Sequence, residues 1–447
     1  MVKRSLFGTS GIRGDAQKFL TNEFCFDIAV VFAKFLDHHQ QTGPIAVGMD
    51  PRQSSPKILK VVLQGLAHAG RPILDQAVCP VPAINYLLKV SPVVASVMVT
   101  GSHIATELNG IKFFAFEEEI LKKHEKEITE LYYQLRNKVG YRQEEISVKK
   151  DQSAIEEYEE MLVKLADPYP RWKVVLDPGN GAQSDLMPRL ISRLGLKDIT
   201  INDELQGEFI SRDTETEGVI KELQQKVVKE KADLGIAFDG DGDRVVFVDE
   251  KGQFIPGDYT GALIAKSSDV NKIITPINTS QVVEHLGKPV VRTKVGSPYV
   301  VATMKKHQIT FGFEANGGGI SSKIMMSRDG GSSMIKVLNL LAKHGGSLST
   351  LIATLPRFHL YRLKVDCPRK LNGLIIREAK KEFKGKTEEI DGLKIWLDET
   401  TWILFRPSSN APEFRVFAEA KTKQKAVRLG QAGIKLVRTV IKKANQK

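Results

Sequence analysis

Three aspartates at alternate positions carry the strongest chemical signal in this sequence. Asp239, Asp241 and Asp243 lie in the stretch FDGDGDR, where glycines separate the carboxylates and Arg244 follows. Carboxylates spaced in this way can turn their oxygens onto one hard cation such as Mg²⁺. An EF-hand calcium loop fits less well, because Arg244 stands where that loop needs glycine and the flanking runs are typical of strands. A purely structural acidic turn would leave three carboxylates repelling one another, so we predict a magnesium site.

A nucleophile is predicted in a second stretch, SVMVTGSHIATELNGIK. Its short β-branched run is typical of a buried strand, so we expect Ser102 at the carboxyl end of that strand, where α/β sheets bind ligands. His103 and Lys112 follow, and a hydroxyl among polar and cationic groups indicates phosphate chemistry. A serine after glycine is also a common helix N-cap. The two interpretations are compatible, because helix N-termini attract anions.

Three further loops carry polar groups suited to a sugar phosphate. In FGTSGIRG, backbone N–H groups and Arg13 could contact a phosphate, with a plain glycine-rich turn as the alternative. In FEANGGG, Glu314 and Asn316 could hydrogen-bond the vicinal hydroxyls of a sugar. The stretch RPSSNAPEFR suits a phosphate, with a surface proline turn as the alternative. Its candidate residues are Arg406, Ser408, Asn410 and Arg415.

These loops belong to a repeated pattern of strand, polar loop and helix. Copies of the pattern begin at residues 44, 173 and 272, and a helix is expected after each loop, the third at 281–286. A second strand follows each copy and ends in one of the loops described above. The predicted fold class is α/β, with three related mixed α/β domains around a central cleft and a smaller C-terminal α+β domain. The predicted domains are 1–148, 149–251, 252–357 and 358–447.

The composition excludes several classes of protein. Of the 447 residues, 42% are hydrophobic and 26% charged, and the three cysteines form no CxxC pair, which argues against a disulfide framework or a zinc site. The net charge is +12, but the basic residues are interleaved with glutamates, so we expect no nucleic-acid partner. The sequence contains neither a signal-peptide pattern nor an apolar run of membrane-spanning length. We therefore expect a cytoplasmic protein without membrane contact.

The five motifs, in this order and at these spacings, resemble those of the α-D-phosphohexomutase family, the phosphoglucomutase/phosphomannomutase group. The resemblance runs from Phe7 to Arg415. It implies a phosphoserine at Ser102, whose phosphate helps to hold Mg²⁺. The resemblance assigns metal binding to Ser102, Asp239, Asp241 and Asp243, catalysis to Ser102, His103, Lys112, Arg13 and Arg244, and substrate binding to Glu314, Asn316, Arg406, Ser408, Asn410 and Arg415.

Two departures from the family pattern stand out. The serine loop of the family usually reads Ser-His-Asn-Pro, whereas Ile104 and Ala105 follow the histidine here, which bears on the rigidity of the loop. The sugar loop of the family often reads Glu-x-Ser-Gly-His. In this chain Asn316 stands in place of the serine and Gly318 in place of the histidine. A proton-transfer role for that histidine therefore does not carry over.

The implied activity is the interconversion of hexose 1-phosphate and hexose 6-phosphate, with glucose or mannose as the sugar. Mg²⁺ and a hexose 1,6-bisphosphate are the implied cofactors, small sugar phosphates are the partners, and the enzyme is a monomer or homodimer. The general base is Lys112, whose pKa neighbouring cations could lower, or His103. Phosphoglucosamine mutase is the main alternative. A phosphate hydrolase and a non-catalytic protein that binds sugar phosphates or nucleic acid are the others.

Overall fold

The computed structural model of the chain describes residues 5–136, 138, 140–141, 145–408 and 412–445. Within these residues, helices flank three β-sheets of twelve, five and five strands. The predicted α/β class is confirmed, and the C-terminal part has its own sheet and helices. None of the described helices combines the length and the apolar character needed to cross a membrane.

The amino-terminal elements build more than half of the twelve-stranded sheet. They are β1 (Ile12–Asp15), α1 (Asn22–His38), β2 (Ile45–Met49), α2 (Ser55–His68), β3 (Ile73–Val78), α3 (Val81–Val90), β4 (Ala95–Val99), β5 (Leu108–Ala115), β6 (Glu118–Glu119), α4 (Lys122–Leu135) and β7 (Lys149–Lys150). Strand β2 runs parallel to β3 and β4, and β5 returns antiparallel to β4. Strand β1 pairs with β5 and brings Arg13 opposite Gly110.

The second sheet carries the acidic motif at a hairpin turn. Its elements are α5 (Ser153–Leu165), β8 (Lys173–Asp177), α6 (Leu186–Arg193), β9 (Lys197–Thr200), α7 (Lys221–Glu230), β10 (Leu234–Phe238), β11 (Val245–Asp249) and β12 (Phe254–Ile255). Strand β8 pairs in parallel with β9 and β10, whereas β10 and β11 are antiparallel. Residues 239–244 form the turn between β10 and β11.

The third group of elements completes the twelve-stranded sheet. They are α8 (Gly257–Ser267), β13 (Ile273–Pro276), β14 (Val290–Thr293), α9 (Ser297–His307), β15 (Phe311–Phe313), β16 (Gly319–Ser321), β17 (Met325–Asp329), α10 (Gly330–His344) and α11 (Leu348–Ile352). Strand β17 pairs in parallel with β6 through Met326 and Glu118, so the first and third units share one sheet. The sequence pattern had indicated only separate units. The pairing covers backbone groups that an edge strand would leave free.

The helix expected at 281–286 is a short 3₁₀ helix at Gln281–His285. The C-terminal unit contacts the first turn of this helix through Glu419. The Glu419 side chain accepts hydrogen bonds from the Gln281 backbone N–H (2.9 Å) and from the Ser280 hydroxyl. The Ser280 hydroxyl in turn accepts from the backbone N–H of Val282. The segment stays short because Gly287, with φ +71°, follows directly after Leu286 and ends the helix.

The C-terminal unit is an antiparallel sheet with two long helices. Its elements are β18 (His359–Asp366), α12 (Asn372–Glu382), β19 (Lys386–Glu388), β20 (Leu393–Asp398), β21 (Thr401–Pro407), β22 (Glu413–Ala420) and α13 (Lys423–Asn445). The sheet has the strand order β18, β22, β21, β20, β19. Its apolar face packs into a core of its own that includes Ile375, Phe405 and Val437.

One hydrophobic core fixes the ends of the strands that lead into the predicted loops. Met98, Phe238 and Phe313 lie near or at the ends of β4, β10 and β15, and all three belong to the same buried cluster. Burial of side chains of this size stabilises each anchor by about 1.5–3 kcal/mol. The loops that follow these strands are therefore held relative to one another by shared packing.

Candidate active site

Ser102 lies in the loop of residues 100–107 between β4 and β5, called the serine loop below. The side chain is fully buried, and its hydroxyl donates a hydrogen bond to Asp239 Oδ2 at 2.9 Å. The predicted position beyond the end of a buried strand is thus observed. The helix N-cap interpretation is wrong, because the chain continues into strand β5 and no helix follows Ser102.

The three aspartates of the acidic motif converge at the hairpin turn between β10 and β11. Asp239, Asp241 and Asp243 are buried, and one carboxylate oxygen from each lies within 4.8 Å of the other two. The Oδ1 atoms of Asp241 and Asp243 have no hydrogen-bond partner among the described residues. Burial, together with the charges of Asp241 and Asp243, raises the pKa of Asp239 to about 8. Unpaired, mutually repelling oxygens in a buried cluster fit a hard divalent cation.

Two cations reach this cluster from different sheets. Lys112 on β5 donates from Nζ to Asp241 Oδ2 at 2.6 Å and to Asp243 Oδ2 at 3.0 Å. The Nε atom of Arg244 lies 3.5 Å from Asp239 Oδ2 and 3.6 Å from Asp243 Oδ1. The motif of the second sheet is therefore joined to the serine-bearing sheet by direct ion pairs.

The pKa of Lys112 is raised, which differs from the expected direction. Burial is the largest influence and opposes the charge, but the carboxylates of Asp241 and Asp243 outweigh it. The pKa of His103 is held well below its usual value by burial and by cations, of which Arg244 has the largest effect. The Nδ1 atom of His103 lies 3.4 Å from the Ser102 hydroxyl oxygen.

Arg13 belongs to the same electrostatic group. Burial and the charge of Arg244 lower its pKa to about 10, while Asp241 acts in the opposite direction. The Arg13 Nε atom has no hydrogen-bond partner in the described part of the chain. Arg13 is half-buried, and an unpaired guanidinium donor close to the acidic motif is suited to an incoming anion.

Glu314 and Asn316 lie in the loop between β15 and β16. Both are buried, and Glu314 accepts hydrogen bonds from the Gly296 backbone N–H and from Arg328, each at 3.0 Å. Gly317, with φ +86°, is packed against the acidic hairpin so closely that a Cβ would stand 1.9 Å from the Val245 carbonyl oxygen. The loop predicted to bind sugar is therefore seated directly on the predicted metal loop.

Arg328 is a site residue that the sequence pattern did not reveal. It donates through one amino nitrogen to Glu314 and through the other to Asp243 Oδ2 at 2.8 Å, and its side chain is 6% exposed. Its only sequence signal is a charged residue inside the β17 strand, before Asp329 and Gly330. This residue links the sugar loop to the acidic hairpin.

Arg406 and Ser408 line a cavity of about 480 Å³. Gly8, Lys122 and Lys294 line the same cavity, so three parts of the chain meet there. Asp391, another lining residue, accepts from Arg406 Nε at 2.7 Å and from the Val295 backbone N–H at 3.0 Å. A guanidinium oriented by a carboxylate and surrounded by lysines can bind a phosphate.

Arg415 and Asn410 are the other two residues predicted to contact the phosphate. Arg415 lies opposite Arg406 on the neighbouring strand, but it donates from Nε to Glu413 at 2.8 Å and does not line the 480 Å³ cavity. Asn410 falls outside the described residues.

An α/β chain whose loops bring a serine, three carboxylates and several cations together has the groups that phosphoryl transfer requires.

Comparisons with known proteins agree with this class. Profiles of the phosphoglucomutase/phosphomannomutase α/β/α domains I, II and III match residues 4–138, 156–252 and 256–358. The chain is 33% identical over 453 residues to a phosphoglucomutase/phosphomannomutase of Thermococcus kodakarensis, covering 98% of this chain and 99% of that protein. It is 34% identical over 459 residues to a probable phosphoglucosamine mutase of Pyrococcus abyssi, with the same coverage.

A solved structure shows the same fold. A phosphoglucomutase/phosphomannomutase family protein from Burkholderia thailandensis matches with a TM-score of 0.83 at 23% identity over 98% of both chains. The chain belongs to the phosphoglucomutase/phosphomannomutase group of the α-D-phosphohexomutase family. The protein is accordingly a mutase, an intramolecular phosphotransferase acting on sugar phosphates.

Proposed function

We propose that the enzyme interconverts the 1-phosphate and 6-phosphate of glucose and mannose, with Ser102 as the phosphate carrier. The observation that supports this most strongly is the Ser102 hydroxyl, 2.9 Å from Asp239 inside the cluster of carboxylates and cations. We propose a cytoplasmic enzyme, a monomer or homodimer, that takes small sugar phosphates and uses neither nucleic acid nor membrane as a partner.

In the proposed first half-reaction, a sugar hydroxyl attacks the phosphorus of phosphorylated Ser102. The new bond joins the sugar oxygen to phosphorus, and the bond from Ser102 Oγ to phosphorus breaks. The hydroxyl proton passes to a base, either His103, whose lowered pKa leaves it neutral, or Lys112 after this residue has released its own proton. The base then gives the proton to the leaving Ser102 Oγ. Arg13 and Arg244 stabilise the charge on the transferring phosphoryl group. Arg406 and Ser408 hold the phosphate that is not transferred, which fixes the distance of the reacting hydroxyl from Ser102.

The second half-reaction runs in the opposite sense. The hexose 1,6-bisphosphate turns over within the cleft, and Ser102 Oγ attacks the phosphoryl group that was previously distal. The same base takes the Ser102 hydroxyl proton and gives it to the leaving sugar oxygen, so that Ser102 is again phosphorylated. A bisphosphate added from solution would phosphorylate a free Ser102 by the same step, which explains its proposed role as activator.

Mg²⁺ is the proposed metal ion of the site. Asp239, Asp241 and Asp243, with the phosphate on Ser102, are the groups that would hold it, and the unpartnered Oδ1 atoms of Asp241 and Asp243 fit this role. When bound, the ion would neutralise charge on the transferring phosphoryl group.

The preferred sugar is the open part of the proposal, and phosphoglucosamine mutase is the second candidate. The relative in Pyrococcus abyssi that covers 98% of this chain is a probable phosphoglucosamine mutase, whereas that in Thermococcus kodakarensis is a phosphoglucomutase/phosphomannomutase. Glu314 and Asn316 are proposed to bind O3 and O4, which glucose and mannose share. Pocket contacts of about 1 to 3 kcal/mol would separate the two epimers by no more than about 100-fold.

A substrate panel tests this proposal. Glucose 1-phosphate and mannose 1-phosphate should both be converted, with kcat/KM values within about 100-fold of each other. Glucosamine 6-phosphate is assayed in the same buffer. A kcat/KM for glucosamine phosphate that exceeds both neutral sugars by more than this margin would replace the dual-specificity proposal with an amino-sugar mutase.

A further inference from the structure

Arg52 lies beneath the serine loop with a fully paired guanidinium. Its side chain is 1% exposed, and its Nε donates to Asp50 Oδ2 at 3.2 Å. Its other four donors all meet backbone carbonyl oxygens of the serine loop or of the first residue of β5. These acceptors belong to Ser102 (2.7 Å), Ile104 (2.7 Å), Ala105 (2.9 Å) and Leu108 (3.2 Å).

Ser102 adopts a backbone conformation that needs such support. Its φ is +52°, in the left-handed region that residues with a side chain rarely adopt. The Ser102 backbone N–H donates to the Thr100 hydroxyl at 2.8 Å, and its carbonyl accepts from Arg52. Strained backbone persists where the surroundings determine it, and here both peptide groups of Ser102 are held. The serine loop contains no proline that could fix it instead.

The guanidinium is also enclosed on both sides. A Cβ at Gly101 would stand 2.6 Å from the Arg52 guanidinium carbon, so glycine permits this close approach. The ring of Phe209 lies on the guanidinium, with its centre 4.5 Å from the same carbon. Near Phe209, the Ser211 hydroxyl lies 2.9 Å from the His103 carbonyl oxygen. The second unit therefore closes over the same loop that Arg52 holds from below.

We propose that Arg52 is a positioning residue for the mutase reaction. It holds Ser102 in the left-handed conformation that directs the hydroxyl to Asp239, and it does so without contacting the substrate. The effect on turnover rests on the proposed function of Ser102, whereas the effect on the loop backbone does not. Lysine cannot replace the guanidinium, because an ammonium group is a point charge with three donors and cannot satisfy five acceptors in one plane.

The experiment compares Arg52→Lys with Arg71→Lys. Arg71 is a matched control, because it is buried in the same unit and donates to two backbone carbonyls, those of Ala33 (2.8 Å) and Gln41 (2.6 Å). Arg52→Lys should lower kcat about 100-fold with KM for glucose 1-phosphate within threefold, whereas Arg71→Lys should keep the kcat of the wild type. Arg52→Ala should also have a lowered kcat. Guanidinium ion at millimolar concentration should raise the kcat of Arg52→Ala at least tenfold.

Hydrogen exchange supplies a readout that needs no turnover. Amides of residues 101–108 should exchange at least tenfold faster in Arg52→Lys than in the wild type or in Arg71→Lys. Unchanged exchange, or a kcat in Arg52→Lys equal to that of Arg71→Lys, would overturn the role of Arg52. A wild type without mutase activity would overturn the proposed function alone, because the exchange measurement would still decide whether Arg52 holds the loop.

Discussion

Charge balance at the level of single residues determines what the acidic hairpin can bind. Lys112 donates to Oδ2 of both Asp241 and Asp243, while their Oδ1 atoms accept no hydrogen bond from the described residues. The lysine therefore neutralises part of the cluster and leaves on each aspartate one oxygen that accepts no hydrogen bond and suits a metal ion. Removing the negative charge of one of these aspartates should weaken metal binding.

Asp241→Asn should lose activity and Mg²⁺ dependence together. The amide keeps the shape of the side chain but removes the charge that attracts the cation, and a loss of about 100-fold or more in kcat is expected. The measurement is kcat as a function of Mg²⁺ concentration, with the exposed Asp185→Asn as control. Full turnover by chelator-treated wild type would contradict the metal assignment.

Arg328→Met should destabilise the protein. Glu314 and Asp243 share this arginine, so the substitution removes a charged partner from each of two buried carboxylates. Glu314 keeps only the Gly296 backbone N–H and Asp243 keeps Lys112 and Arg244, and the cost should be about 3–5 kcal/mol. Urea unfolding followed by tryptophan fluorescence measures the loss. Arg193→Met removes a half-exposed arginine that pairs with the exposed Glu160 and the buried Glu159. Because Glu159 keeps its ion pair with Arg189, this substitution should cost under about 1 kcal/mol. Equal unfolding midpoints for the two variants would refute the linking role of Arg328.

At the level of elements, strand ends and hairpin turns present most of the site residues. The turn after β10 presents the aspartates, the turn after β15 presents Glu314, and the end of β21 presents Arg406. The sequence predicted these positions because apolar runs that end in Gly-rich polar stretches identify strand ends. The apolar run at 245–248 likewise predicts a strand, and the amphipathic pattern at 423–443 predicts a long helix. Both predictions are confirmed, by β11 and α13.

Arg406→Ala tests the element that carries the phosphate loop. We expect a higher KM and a lower kcat, since the anchored phosphate also positions the reacting end of the sugar. The combined loss in kcat/KM should be about 2–4 kcal/mol, as for a charge-assisted contact removed from a closed site. The exposed Arg428→Ala on α13 is the control. A change under twofold in Arg406→Ala would place the distal phosphate elsewhere.

The sequence did not reveal the residues whose partners are distant in the chain. Arg52 stands in a short Asp-Pro-Arg stretch and Arg328 in a strand, and neither position shows which carbonyls or carboxylates the side chain will meet. The N-cap interpretation of Ser102 failed for a related reason, because the local Thr-Gly-Ser pattern does not specify whether a helix or a strand follows. The roles assigned to individual site residues and the four domain boundaries stay predictions.

At the scale of the whole molecule, the C-terminal unit meets the third unit around a buried lysine. Lys394 lies with its Nζ 4.0 Å from the centre of the Trp402 ring and 3.3 Å from the Ile277 carbonyl oxygen. Burial, and then the charge of Arg292, lower its pKa to about 7, while Glu284, Glu388 and Glu419 act in the opposite direction. No local sequence pattern could indicate this contact, because its two sides are more than a hundred residues apart.

Lys394→Met should flatten the pH dependence of stability. The unfolded lysine keeps its proton up to about pH 10.5, whereas the folded lysine releases it near pH 7. Between these values the unfolded state binds more protons, so the stability of the wild type rises with pH relative to the variant. From pH 7 to pH 9.5 the gain should be up to about 3 kcal/mol in urea unfolding. Parallel curves for wild type and Lys394→Met would show that the lysine stays charged.

Phosphorylation of Ser102 tests the central claim most directly. The purified enzyme is incubated with glucose 1,6-bisphosphate, and its intact mass and Ser102 peptide are measured beside those of Ser102→Ala. The account predicts the added mass of one phosphoryl group on Ser102, its transfer to glucose 1-phosphate on mixing, and neither phosphate nor mutase turnover in Ser102→Ala. Full mutase activity in Ser102→Ala, or turnover without any phosphate on Ser102, would contradict it.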